Sequence, residues 1–294
     1  MKVAICISGF LRTWNETKRS FIETFCDGVD ADVFLHLYRE NLFEWSAGQE
    51  DVRMSEEEIL EMFSGINVKG VVIETREKTL PQITKGAEEF IQHWPNFSIA
   101  ESSDPMATKV NVAIRIYDQV RKIYECNNLR KKYQEESGVQ YDALAYTRCD
   151  VLYLQKPDWQ AALHPNVIYT DRGSTGGVPS DVAIIGNVDS MEKAVMNRFA
   201  DLRLLFSSRP QKIDGKCCLN CGNTLPCCFW CSHSMIRHAA LYHSIQVVRL
   251  FLTIVLRSPD SVHSVRHGRT VNITDLSPND QRFLRSAMGN SRAT

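Results

Sequence analysis

The constraint that most narrows this chain is an alternation near its start. Three short apolar runs, VAICIS at 3–8, ADVFLHLY at 31–38 and VKGVVIET at 68–75, are separated by segments with helical signals. A short apolar run bounded by glycine or polar residues reads as a strand buried on both faces, the form parallel sheets take. Between the first two runs, NETKRSFIETF at 15–25 reads as a helix with Asn15 as its cap. Between the second and third, Ser55-Glu56-Glu57-Glu58 ahead of ILEMF has the capping-box pattern. Such alternation predicts an α/β fold with a single, mainly parallel sheet flanked by helices.

The rest of the chain extends the pattern. After a polar, proline-containing connection at 93–105, Met106, Val110, Ala113, Tyr117, Val120 and Tyr124 draw one apolar stripe at helical spacing. The stripe reads as a face that packs on the sheet rather than as a cofactor pocket. ALAYTRCDVLYL at 143–154 is a strand with a charged interruption, and VIYTDRGSTGGVPSDVAIIG at 167–186 gives two strands around a glycine-rich loop. Asp189 reads as the cap of a helix running to about Phe206; a further helix is expected from Ser232 to Tyr242, then strand-like residues at 245–256. From 258 onward the chain is polar, with one helix-like stretch, PNDQRFLRSAM. The expected organisation is one domain over 1–257, carrying a cysteine-rich insertion at 215–232, and a polar tail at 258–294.

Composition excludes some partners. A formal net charge of −1, with basic residues scattered rather than striped, leaves no electrostatic footprint for nucleic acid. A hydrophobic content of 44% is enough for a real core. MKVAICISGF is too short and strand-like for a secretory leader, and VVRLFLTIVL at 247–256 is broken by Arg249 and too short to span a bilayer. The expectation is a cytoplasmic chain in a reducing compartment, which argues against disulfides.

Residues 217–231, CCLNCGNTLPCCFWC, hold six of the ten cysteines. Cys218 with Cys221, and Cys228 with Cys231, form two CxxC pairs, and four thiolates suit a tetrahedral structural zinc. The six residues between the pairs are fewer than the dozen or so that usually separate them. A thiol lying just before a helix can also be redox-active. Structural zinc, a reduced or disulfide-bonded loop, and redox chemistry all remain open from spacing alone.

The other chemical feature is Arg148-Cys149-Asp150, charged residues at the end of a strand. In open α/β sheets the carboxyl edge of the strands is where ligands bind. A solvated strand end is the competing reading. Asp181 and the loop GSTGG at 173–177 have the same two readings: chemistry, or a turn between strands.

The stretch KIYECNNLRKKYQEESGVQYDALAYTRCDVLY at 122–153 resembles the GT-A-fold glycosyltransferases, the nucleotide-diphospho-sugar transferases, in its Cys126-Asn127 pair, its tyrosine-aspartate and its strand ending in Arg-x-Asp. CISGFLRTW at 6–14 is similar to their first strand and nucleotide-side loop, and ADVFLHLY to their second strand. PSDVAIIGNVDSMEKA at 179–194 resembles their Ser-Asp-x-x-x-x-Gly segment, and SHSMIRHAALYHSIQVVRLFLTIVLR their closing helix and strand pair. The resemblance covers most of residues 1–257.

What it implies is a GT-A-like (Rossmann-like) domain that moves a sugar from a nucleotide-diphosphate sugar to an acceptor glycan or other hydroxyl compound. Ser8, Gly9, Arg12 and Arg148 would serve the nucleotide side. Asp150 would hold a divalent cation (manganese or magnesium) on the diphosphate, and Asp181 would be the base. Two departures matter. The family usually carries Asp-x-Asp where this chain has Arg148, so Asp150 either anchors the metal alone or Arg148 replaces it. The closing helix has Ser232-His233-Ser234-Met235 where many relatives have a carboxylate. The alternatives are a zinc-stapled binding module of the same shape without transfer activity, and a thiol oxidoreductase working through the cysteine cluster.

Overall fold

The computed structural model describes residues 1–40, 53–92, 109–171, 181–200, 232–251, 253–258, 261–264, 269–275 and 278–288. The three opening runs become β1 (Lys2–Gly9), β2 (Asp30–Tyr38) and β3 (Val68–Glu74), paired in parallel. On the other side of β1 lies β4 (Ala143–Thr147), also parallel. The hairpin partners β6 (Val167–Asp171) and β7 (Ala183–Asn187) continue the sheet antiparallel, and β8 (Gln246–Phe251) runs parallel to β6. The result is a mainly parallel sheet of seven strands in the order β3-β2-β1-β4-β7-β6-β8.

Alternation along β1 assigns each side chain to one of two cores. Val3, Ile5 and Ile7 enter a cluster with Trp14, Phe21, Phe25, Ile59 and Phe63. Those partners come from α1 (Trp14–Ser20), the π-helical turn Phe21–Phe25 that continues it, and α2 (Glu56–Met62) with its C-cap Phe63. Ala4 and Cys6 enter the opposite cluster. Between β3 and β4 run α3 (Arg76–Gln92) and the long α4 (Lys109–Ser137). The second core is completed by Ile123 and Cys126 of α4, α5 (Val188–Met191) with the π-turn Glu192–Met196, and Ile236 and Ala240 of α6 (Ser232–Tyr242). A sheet covered on both faces is why its strands read as unbroken apolar runs.

A second sheet was not foreseen. β5 (Val151–Tyr153) follows β4 immediately, leaves the main sheet, and pairs with β9 (Thr253–Ser258). β10 (Ser261–Ser264) and β11 (Arg269–Asn272) extend it, giving the order β11-β10-β9-β5. The stretch expected to be a polar tail with one helix therefore carries two strands before α7 (Pro278–Ala287).

Local signals held unevenly. The capping box at Ser55 and Glu58 is present in both directions. Asn15 is not a cap, because α1 starts one residue earlier after Thr13. Asn187 rather than Asp189 caps α5, its side chain accepting from the Ser190 amide, and the helical stretch closes near Asn197. On α4 the buried line runs through Ala113, Ile116, Val120, Ile123 and Cys126. Tyr117 and Tyr124 of the expected stripe sit beside that line, against Phe199.

The aromatic packing beneath β5 is the densest in the fold's first core. Phe25 is fully buried, with ring centroids 4.3 Å from Tyr153 and 5.2 Å from Trp159, whose indole donates to the Phe25 carbonyl. Phe25→Ala should lower unfolding free energy by about 3–5 kcal/mol in denaturant titration. Leu163→Ala, at a half-exposed site, should change it by no more than about 0.5 kcal/mol. Equal effects at the two sites would contradict this placement of the core.

Candidate functional site

Strand order creates the site. The chain builds β1, β2 and β3 outward in one direction, then returns to place β4 on the other flank of β1. At such a switch point the loops leaving adjacent strands part and open a crevice at the carboxyl edge. The last β1–β4 pair is Ile7 with Thr147, so Ser8-Gly9 and Arg148 leave the sheet side by side. Gly9 has φ +116°, which only glycine adopts readily, although a Cβ there would meet nothing. Arg12 has φ +45°, a left-handed backbone that is strained for a residue with a side chain.

That turn delivers Arg12 to Asp150. Arg12 Nη1 donates to Asp150 Oδ2 at 2.7 Å, Arg148 Nε donates to Oδ1 at 2.8 Å, and Arg148 Nη2 donates to Oδ2. The Asp150 side chain is 2% exposed. Burial by itself would raise its carboxyl, but the Arg148 and Arg12 guanidiniums hold it well below the usual carboxylate range. Cys149 faces the core instead, and burial pushes its thiol up. Its carbonyl accepts from Thr17 Oγ1 at 2.5 Å, which ties α1 to the β4–β5 turn.

Ser8, Gly9, Arg12, Arg148 and Asp150 all line one cleft of about 210 Å³. Phe10, Tyr38 and Tyr146 complete the strand side, and α3 and α4 supply the opposite wall. Its lining has five cationic side chains (Arg12, Arg76, Arg115, Lys122 and Arg148) against two carboxylates (Asp118 and Asp150), with an apolar patch of Leu80, Ile83 and Ile114. Such a lining suits a ligand that joins an anionic group to a flat or apolar one.

Asp181 is not on the cleft wall. It is 6% exposed and accepts a hydrogen bond at 2.8 Å from Gln119 Nε2, whose residue does line the cleft. Its charge acts on both Arg148 and Tyr146, which places it just behind the wall. The loop at 173–177 and Cys218, Cys221, Cys228 and Cys231 lie outside the described residues, as does the His233 side chain. The described free cysteines Cys6, Cys126 and Cys149 are buried, and Cys26 is pushed up to about 12 by burial, so none of these four sits in the exposed, electropositive setting that activates a thiol.

The α4 contribution was missed by reasoning from the sequence. Arg115, Asp118, Gln119 and Lys122 recur at spacings of three and four, a polar stripe beside the apolar one. That periodicity was available in the sequence, but a polar helix face usually means solvent. Here an ion network holds it inward. Glu74 at the end of β3 accepts two bonds from Arg121, at 2.9 and 2.7 Å, and one from Lys122 at 3.0 Å, and it faces His36 Nε2 at 3.1 Å. Asp118 accepts from Tyr38 Oη at 2.8 Å and from Arg121 at 3.0 Å. Lys122 Nζ stands 3.4 Å over the Tyr38 ring centroid. Burial draws this lysine down to about 8, despite Asp118 and Glu74 beside it.

A divalent cation fits this donor set poorly. Both oxygens of Asp150 are engaged by guanidiniums, and a cation there would displace one positive group while lying against the other. The described residues hold no group of three or more His, Cys, Asp or Glu side chains able to ligate a metal. Nor, among them, is any helix long and apolar enough to cross a membrane.

No family model and no curated protein matches this chain. Among solved structures, the apo form of mouse xyloside xylosyltransferase 1 superposes with a TM-score of 0.38 at 9% identity, covering 85% of each chain.

Acid should find the ion networks first. Asp150 and Glu74 are held below their ordinary values of 3.8 and 4.5: burial opposes ionisation, but guanidinium partners outweigh it in both. As pH falls below those values the unfolded chain binds protons that the folded protein refuses, so stability is lost. Lys122, lowered from 10.5 to about 8 by burial, should add stability as pH rises through that interval, where the unfolded chain is the one still protonated. Denaturant midpoints measured against pH should show both limbs. Asp150→Asn should destabilise by about 3–5 kcal/mol at neutral pH, since it removes the negative charge that Arg12 and Arg148 share. It should also make the acid limb shallower; an unchanged limb would remove Asp150 from this account.

Proposed function

We propose that this chain is a glycosyltransferase that moves a sugar from a nucleotide-diphosphate donor to an acceptor hydroxyl. The observation that carries the reading is convergence. Of the six positions that the resemblance assigns to donor and acceptor, Ser8, Gly9, Arg12, Arg148 and Asp150 line one cationic cleft, at the switch point of a mainly parallel α/β sheet, and Asp181 does not. The α/β architecture agrees with the GT-A resemblance, and the cleft has the anion-attracting and apolar surfaces that a nucleotide diphosphate needs.

In this reading the acceptor hydroxyl forms a bond to the anomeric carbon as the bond from that carbon to the diphosphate oxygen breaks. The electron pair stays on the departing diphosphate, whose added negative charge falls beside Arg12 and Arg148. The acceptor's proton goes through one water to Asp181, the carboxylate that Gln119 holds just behind the wall. Asp150 is then a positioning residue: both of its oxygens already accept from Arg12 and Arg148.

The test is donor turnover by the intact chain against a panel of nucleotide sugars, with acceptor transfer and donor hydrolysis both read. Asp181→Asn should lower kcat by about 10²- to 10⁴-fold with little change in KM. Asp118→Asn, which alters the other carboxylate near the acceptor side, should lower it far less. If Asp118→Asn abolishes turnover and Asp181→Asn does not, the base is misassigned. Donor binding without turnover of any sugar would favour a non-catalytic binding module.

A further inference from the structure

Given the transferase reading, on which it rests, we propose that the cleft holds its donor's diphosphate on guanidinium groups alone. Asp150 positions those groups and is not the ligand of a divalent cation.

Three features of the cleft lead there. First, the carboxylate is already occupied. Arg12 Nη1 and the Arg148 fork reach both of its oxygens, and its side chain is 2% exposed. A hard cation takes about six oxygen ligands, several of them water or carboxylate. Asp118, the other lining carboxylate, is also engaged by Tyr38 and Arg121. Among the described residues, both carboxylates that line the cleft are therefore already engaged by donors.

Second, Asp150 does something else well. A guanidinium carries five N–H donors in a rigid plane. The bonds to Asp150 described above use one from Arg12 and two from Arg148. A carboxylate between two forks fixes both planes and cancels the repulsion between them, while leaving the triad one net positive charge. The strained φ of Arg12 is the backbone side of this arrangement. It persists because the short bond to Asp150 and the ring of Phe10, 5.7 Å from the guanidinium carbon, hold the side chain in place.

Third, the positive charge continues across the cleft. The Arg76 guanidinium carbon lies 5.8 Å from the Phe10 ring centroid and that of Arg12 lies 5.7 Å from it, so one aromatic ring contacts two guanidiniums along the lining. Planar forks recognise phosphate oxygens bidentately, which a lysine ammonium, a point charge, does not do. During transfer the diphosphate gains one negative charge, and these groups are in place before the bond breaks.

Calorimetry on the intact chain tests this, with UDP, GDP, CDP, ADP and inorganic pyrophosphate as probes. Each is titrated first in EDTA and then with manganese or magnesium added. The expected result is binding in EDTA that added metal does not strengthen. Arg148→Lys, which keeps the charge and loses the fork, should weaken that metal-free binding by about 10- to 100-fold. Binding that appears only with metal overturns the inference and leaves the transferase reading intact. Pyrophosphate bound in EDTA with no nucleoside diphosphate bound supports the guanidinium site and removes the nucleotide donor. No binding of any probe, with or without metal, overturns both. The comparison in EDTA uses the unmodified chain, so it does not depend on any variant folding.

Discussion

A buried carboxylate between two guanidiniums is the interaction on which the site depends. Asp150 stands at the start of β5, Arg148 at the end of β4 and Arg12 in the loop after β1. None of the three could occupy its place alone. An isolated carboxylate at this burial would protonate, and two neighbouring guanidiniums would repel. Together they join the two sides of the crevice, and the geometry beneath them is fixed by hydrogen bonds of the same kind. Thr17 Oγ1 holds the Cys149 carbonyl, and Ser20 Oγ accepts from the Tyr153 amide at 3.1 Å. The helix that follows Arg12 thereby braces the turn that carries Asp150.

The opposite wall follows a similar logic with different chemistry. Glu74 gathers Arg121, Lys122 and His36 at the carboxyl end of β3, and Asp118 gathers Tyr38 and Arg121. These contacts set the rotation of α4 about its axis, because residues on one helical face cannot turn independently. With Arg121 and Lys122 tied to the sheet edge, Arg115, Asp118 and Gln119 must lie along the cleft. A buried ion network contributes little net stability once desolvation is counted. Its use here is specificity of placement, and it makes the wall stiff on the side where Gln119 reaches back to Asp181.

Much of this was legible in the sequence where one physical rule dominated. Doubly covered parallel strands must be apolar throughout, so β1, β2, β3 and β4 stood out, and a charged strand end in such a sheet has one place to go. The rest depended on competition that spacing does not reveal. Asn15 and Thr13 are both residues that can begin a helix, and tertiary packing of Trp14 decided between them. β10 and β11 are short and polar, and they form because β9 offers an edge. The α4 polar stripe reads as a solvated face because its partners, Tyr38 of β2 and Glu74 of β3, lie more than forty residues away. Asp181 was found by its motif, yet its position behind Gln119 follows from the packing of α4 on the sheet.

Where the resemblance would put the first aspartate of Asp-x-Asp this chain has Arg148, and that changes what Asp150 can do. Two carboxylates at a strand end repel, and a divalent cation relieves that repulsion while supplying a charge for the diphosphate. With Arg148 in the first position the repulsion is already relieved, and Asp150 becomes the counterion that lets a second guanidinium, Arg12, approach. In the proposed transfer the leaving group would meet hydrogen-bond donors attached to the fold rather than an exchangeable ion. Such donors cost no reorganisation as charge develops. They also cannot depart with the product, as a cation bound to a nucleoside diphosphate can. Release must therefore come from weakening the contacts themselves, through hydration of the cleft or movement of its lining. A cleft that works in the proposed way would trade an ion's strong local field for pre-set direction, with the strained turn at Arg12 setting that direction.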